Sequence, residues 1–240
     1  AFNNLEQFLS SQGGTSATHE TLARQIRQQN QIRKELSEVA KLVTDRRSPV
    51  NAGDMLAIQE SKNFAVFPEK YLAHLTNLKE GLQKYLDQPD LTPDKSPRIV
   101  LTGCPVGKGS DKVIQIAEGL GARVIAMENC TGIKGINIAV NETGDPLQSL
   151  AERYLQIPCS CMTPNPGRLS DLKEITEEFG ADALLDLTWL GCHTYNAESY
   201  SIQNFAENEL QKPFLHIETD YSESDTEQLR TRIEALIELI

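Results

Sequence analysis

Five cysteines, Cys104, Cys130, Cys159, Cys161 and Cys192, hold most of the reactive chemistry of this 240-residue sequence, and all fall in its second half. Cys104 follows the apolar run Ile99-Val100-Leu101-Thr102, Cys130 follows Val124–Met127, and Cys192 follows Leu184–Trp189. Successive positions lie roughly thirty residues apart, about one strand–helix unit. Each thiol is therefore expected where the chain leaves a sheet. In an open parallel sheet those exits share one edge, the place where such folds bind ligands. Helices starting there aim their positive N-terminal ends at the thiols, which favours thiolate. Clustered thiols outside a secreted scaffold point to a metal or redox site rather than to disulfides. Free cysteine is also a common inert core residue, and for one cysteine alone that is the commoner case.

The spacing bears on which metal centre. A structural zinc site usually offers paired C-x₂₋₄-C knuckles, and the sequence has none. Single cysteines among glycines suit an iron–sulfur cluster better, because backbone amides can approach its sulfides. Gly103 and Gly107, in Thr102–Ser110, and Gly132, in Asn129–Gly135, are the expected cofactor-contacting glycines. Cys159-Ser160-Cys161 is less clear, since an extended C-x-C points its thiols to opposite faces. Gly103–Ser110 resembles a phosphate loop, but three residues rather than four separate Gly103 from Gly107-Lys108, so it is not a Walker A motif. His193, beside Cys192, is a candidate proton donor or hydrogen-bond partner of a cluster sulfur, or simply a helix-capping side chain. Glu218 and Asp220, at the end of the last strand, are candidate proton relays or ordinary solvated acids.

The elements that must position these groups divide the chain. Residues 1–96 read as a helical segment with a Pro-rich linker. Thr21–Val43 carries an apolar stripe at helical spacing, Gly53–Gln59 is a short helix, and Pro68 opens another through Leu86. Residues 97–240 alternate strands with helices, which predicts an α/β, Rossmann-like open parallel sheet covered on both faces. The expected strands are Arg98–Thr102, Arg123–Met127, Ala183–Trp189 and Phe214–Glu218, with a weaker one at Leu155–Ile157. The expected helices are Asp111–Leu120, Pro146–Tyr154, Leu169–Phe179, Glu198–Leu210 and Thr226–Leu239, with Asn196 or Ser199 capping the fourth.

A net charge of −11 disfavours binding to phosphate backbones, so no nucleic acid is expected as a partner. No stretch approaches the roughly 20 apolar residues of a membrane span. The start has no secretory features, so a cytoplasmic location is expected, and the lack of an initiator Met suggests a processed or longer chain.

Several motifs occur in order: Leu101-Thr102-Gly103-Cys104-Pro105, Glu128-Asn129-Cys130-Thr131-Gly132, Asp145-Pro146 with Leu150–Leu155, Ile157-Pro158-Cys159-Ser160-Cys161-Met162, Cys192-His193-Thr194-Tyr195-Asn196, Ile217–Tyr221 and Leu229–Ala235. Together they resemble the 2-hydroxyacyl-CoA dehydratase / benzoyl-CoA reductase family, nearest its double-cubane cluster branch, densely from Arg98 onward. The resemblance implies an iron–sulfur cluster, [4Fe-4S] or [8Fe-9S] double cubane, held by Cys104, Cys130 and Cys192 with Cys161 or Cys159 as a further ligand. It implies an oxidoreductase or lyase: dehydratase members expel a β-hydroxyl from an acyl-CoA through a ketyl radical, and double-cubane members resemble reductases of small molecules. It also implies an ATP-dependent iron–sulfur activator as electron donor, and a homo- or heterodimer. The chain is similar to a C-terminal portion, so an N-terminal cluster domain or partner subunit would supply further ligands. The competing expectation is a non-catalytic α/β module that binds a partner or acyl-CoA, with or without structural zinc.

Overall fold

In the computed structural model, residues 2–240 are described, and Ala1, at the head of the helical segment, lies outside them. Four helices come first: α1 (Phe2–Ser11), α2 (His19–Val43), α3 (Ala52–Ser61) and α4 (Pro68–Leu86). The stripe Ile26, Ile32, Leu36, Val39 and Val43 is the buried face of α2, and the Thr18 hydroxyl accepts the Thr21 amide at its start. A capping box between Asn51 and Asp54 starts α3. Helix α1 has no counterpart among the sequence-based expectations; it buries no residue and leaves Leu5, Phe8 and Leu9 exposed.

The α/β part runs β1 (Arg98–Gly103), α5 (Lys112–Gly119), β2 (Arg123–Glu128), α6 (Pro146–Leu155), α7 (Pro166–Phe179), β3 (Ala183–Trp189), α8 (His193–Phe205), β4 (Phe214–Thr219) and α9 (Thr226–Ile237). The four strands form one parallel sheet in the order β2-β1-β3-β4. The expected strand at Leu155–Ile157 does not form. Leu155 ends α6 with its side chain 78% exposed, and Pro158 has no N–H to give a ladder. Cys159 and Cys161 therefore leave a helix, not a strand. The expected Glu198–Leu210 helix starts earlier, at His193, and its last turn, Ala206–Leu210, widens to a π-helix.

Alternation along the strands splits the core into two layers. Ile99, Leu101, Leu185, Leu187 and Ile217 face α5 and α9 with Val113, Ile114 and Ile233. Val100 and Leu184 face α7 and α8 with Leu172, Ile175 and Ile202. The helical segment is built into the first layer, where Ala52 and Leu56 of α3 pack with the sheet. Helices α2 and α4 pack on each other through Leu36 and Leu75, against Ile136. Arg123 donates to the carbonyls of Val43, Ser48 and Val50, which ties α2 and α3 to the start of β2.

Candidate functional site

The chain runs from β1 outward to β2, then crosses back to lay β3 on the other side of β1. The crevice between the ends of β1 and β3 is thus the topological switch point of the sheet. Cys104 leaves β1 there and Cys192 precedes α8 there.

Close packing of the two strand ends seats Cys104. Gly103 has φ +98°, and a Cβ on it would stand 2.8 Å from the Leu187 amide nitrogen and inside contact of the Leu187 carbonyl oxygen. The Cys104 amide donates to that oxygen at 2.7 Å. Its thiol is buried and accepts the Trp189 amide at 3.4 Å. The Trp189 indole donates to the Pro105 carbonyl at 2.9 Å and stacks on Tyr221 with ring centroids 4.6 Å apart. Trp189 thus ties the end of β3 to the loop after β1.

Cys192 is the N-cap residue of α8. Burial works against its ionisation, yet the amides of Tyr195 and Thr194, the Thr194 hydroxyl and the Cys104 thiol together hold it below the ordinary thiol value. Cys104 behaves oppposite to the sequence-based expectation of a thiolate. Burial pushes it up to about 12, with Cys192 and Asp186 adding to the rise. The two neighbouring thiols thus form an unequal pair, one inclined to thiolate and one held as thiol.

A second pair lies across the next loop. Cys159 and Cys161 are joined by a tight turn, in which the Met162 amide donates to the Cys159 carbonyl at 3.0 Å. An extended C-x-C would separate the thiols; this turn keeps them close enough to couple their ionisation. The amide and thiol of Cys161 hold Cys159 below the usual value, and Cys159 pushes Cys161 up. Ser160 donates to the Thr194 hydroxyl at 3.2 Å, which joins this turn to the Cys192 turn. Cys130 is exposed in the turn after β2. Burial, with Cys130, Glu128 and Cys159 nearby, raises the Tyr195 phenol.

The other expected residues fall around this rim. His193 is exposed and lines a groove of about 810 Å³ with Cys161, Met162, Leu169 and Glu198. Glu218 is exposed on the edge strand β4 and takes part in no salt bridge among the described residues. Asp220 is also exposed, and its hydrogen bonds from Ser222 hold it below the usual carboxylate value. Gly107 and Gly132 have packing reasons for being glycine. A Cβ would meet the Glu60 carboxylate at 2.6 Å in the first case and the Met127 side chain at 2.7 Å in the second.

Sequence reasoning missed the charged layer beneath the thiols. Glu128, at the end of β2, and Arg168, in the first turn of α7, are both fully buried. Arg168 donates to Glu128 at 3.3 Å and to the Thr102 hydroxyl at 2.9 Å, pairs with Asp186 at 3.6 Å, and binds Glu198 on α8. Its guanidinium lies 4.9 Å from the Tyr195 ring centroid. Lys134, from the Cys130 turn, pairs with the other Glu128 oxygen. Burial raises Asp186 above the usual carboxylate value, against the pull of Arg168. The only sequence signal was a charged or hydroxyl residue at an otherwise apolar strand position: Thr102, Glu128 and Asp186 each fall where the alternation calls for a core side chain.

The donor set suits an iron–sulfur cluster in kind, being thiols on loops with amide hydrogens directed at sulfur, as from Trp189 to Cys104. Among the described residues no three His, Cys, Asp or Glu side chains converge tightly enough for one metal ion. The thiols are arranged as two pairs with Cys130 beside them.

Among the described residues no helix is long and apolar enough to cross a membrane. A family model for 2-hydroxyglutaryl-CoA dehydratase, D-component, matches residues 1–240. YjiM of Escherichia coli (strain K12), a protein named as a dehydratase subunit, is 33% identical over 236 residues, which take in 98% of this chain. They are 61% of YjiM, so the chain spans about three-fifths of the length of this curated relative. A dehydratase family's D-component, a Rossmann-like parallel sheet and thiols at its switch point agree with one another, and the chain belongs to the 2-hydroxyglutaryl-CoA dehydratase D-component family.

Proposed function

We propose that this chain is the cluster-bearing component of a 2-hydroxyacyl-CoA dehydratase. It would hold an iron–sulfur cluster at the switch point through Cys104 and Cys192, with Cys130 and the Cys159–Cys161 turn on the same rim. The observation that carries this reading is the placement of Cys104 and Cys192: two thiols from loops far apart in sequence, close enough to influence each other's ionisation, at the place where this fold binds ligands. Family membership supports the dehydratase part, and the thiol-only donor set supports the cluster.

When bound, such a cluster would supply low-potential electrons to an acyl-CoA. The chain's own residues do the rest. The first amides of α8, the Thr194 hydroxyl and the Cys104 thiol, acting against burial, hold Cys192 below the ordinary thiol value, which favours ligation. Cys104 is buried and accepts the Trp189 amide at its sulfur, while the Trp189 indole holds the Pro105 carbonyl in the loop that follows. His193 stands exposed next to Cys192, in reach of solvent and of the adjoining groove, and would deliver the proton that a departing hydroxyl takes. An ATP-dependent iron–sulfur activator would supply the electrons, and a partner subunit would complete the ligand shell.

Anaerobic reconstitution with ferrous iron and sulfide, followed by iron and acid-labile sulfide analysis, tests the reading. The wild-type chain, alone or with its partner subunit, should gain visible absorbance and both elements. Cys104→Ser and Cys192→Ser should each lose most of the sulfide. Full retention by both variants, or a colourless wild-type protein that binds zinc without sulfide, would overturn it.

A further inference from the structure

We propose that the buried Glu128–Arg168 ion network is a positioning device that fixes the thiol-bearing loops relative to one another. The inference rests on the cluster-binding reading for its purpose, and on the network alone for its geometry.

Each loop is tied to the network by a separate connection. Lys134 anchors the Cys130 turn to Glu128. Thr102, two residues before Cys104, donates to Glu128 and accepts from Arg168. Arg168 also lies against Tyr195, three residues after Cys192. The Cys159–Cys161 turn is reached through Glu198: Asn165 donates to the Glu198 carboxylate at 2.7 Å and to the Cys159 carbonyl at 3.0 Å. A further bond, from Asn129 to the Cys104 carbonyl at 3.3 Å, closes the ring between the Cys130 and Cys104 loops.

Three carboxylates, Glu128, Asp186 and Glu198, surround two cations, Lys134 and Arg168, in a layer almost wholly buried. Buried ion pairs add little stability compared with apolar packing, so their best-attested use is to specify a unique arrangement. A guanidinium suits that use, because its planar fork fixes the directions of several partners at once. Glu128, Arg168, Glu198 and Asn165 are thus positioning residues, acting on a cluster only through the loops they hold.

The experiment uses the full chain as Asn165→Ala and Arg168→Gln, each checked for folding by thermal unfolding. The metal-free proteins are alkylated with iodoacetamide and every cysteine is followed separately by mass spectrometry. Each protein is also reconstituted anaerobically and its reduced-state paramagnetic resonance spectrum recorded. Asn165→Ala removes one uncharged link and should fold. Its Cys159 and Cys161 rates should rise at least about threefold while Cys104 and Cys192 stay within about twofold, the scale of one lost hydrogen bond. Arg168→Gln, where it folds, should change the rates at both pairs and shift the spectrum. Folded Asn165→Ala with unchanged Cys159 and Cys161 rates would overturn the proposal, whatever Arg168→Gln does. A wild-type chain that takes up no iron or sulfide would sink the cluster reading instead, while the alkylation pattern would still judge the network.

Discussion

Replacing Gly103 by alanine tests the geometry on which the switch point depends. Three costs follow from the structure. The first is conformational: at φ +98° an L-residue is strained by roughly 1–2 kcal/mol. The second is steric, because the new methyl would lie 2.8 Å from the Leu187 nitrogen and 2.9 Å from the Asp186 carboxylate, as well as against the Leu187 carbonyl. These are backbone and buried atoms that cannot swing away, and overpacking of this kind costs about 1–3 kcal/mol. Forcing β1 from β3 also strains the Cys104–Leu187 hydrogen bond, worth about 1 kcal/mol. The expected loss is then about 3–6 kcal/mol. Gly109 supplies the control. Its φ is +90°, but a Cβ there meets nothing within 4 Å, so Gly109→Ala should lose only the conformational part, about 1–2 kcal/mol. Equilibrium urea unfolding reads both, by circular dichroism and by the fluorescence of the one tryptophan, Trp189, which sits over Cys104. Equal losses in the two variants would refute the claim that strand contact at Gly103 sets the site.

Three further outcomes can be measured. Cys192, held below the ordinary thiol value, should alkylate at neutral pH well before Cys104, which burial keeps protonated up to about 12. Because Cys104 ionises at a higher pH in the folded chain than in the unfolded one, its contribution to stability is complete below the ordinary value of 9.0. It is lost as pH rises toward 12, so urea midpoints of wild type and Cys104→Ala should converge over that window. Equal alkylation rates for the two thiols at neutral pH would contradict the assignment. Leu56→Ala should cost about 2–5 kcal/mol in a single cooperative unfolding transition, since Leu56 of α3 packs into the same core as β1. A separate early transition of the helical segment would show that it does not share that core.

The strands β1 to β4 were legible because each is a short apolar run flanked by turn residues, and period alone distinguishes such runs from the helices between them. The alternation also implied a parallel sheet, and with it a common edge for Cys104, Cys130 and Cys192. Leu155–Ile157 misled because a helix end and a proline can mimic a short strand in composition. Helix α1 went unread because its apolar residues, Phe2, Leu5, Phe8 and Leu9, are few and none is buried.

Sequence by itself determined the fold class and which loops bear thiols, because both depend on local pattern and chain order. Tertiary structure alone decided which thiols couple, that Cys159 and Cys161 share a tight turn, and that Cys104 is pushed above the ordinary thiol value while Cys192 is held below it. It alone assembled Glu128, Lys134, Arg168, Asp186 and Glu198 into one buried layer. Those outcomes depend on desolvation and on distances between residues far apart in the chain. Both are set only when the chain crosses back from β2 and β3 pairs with β1, so no local pattern records them.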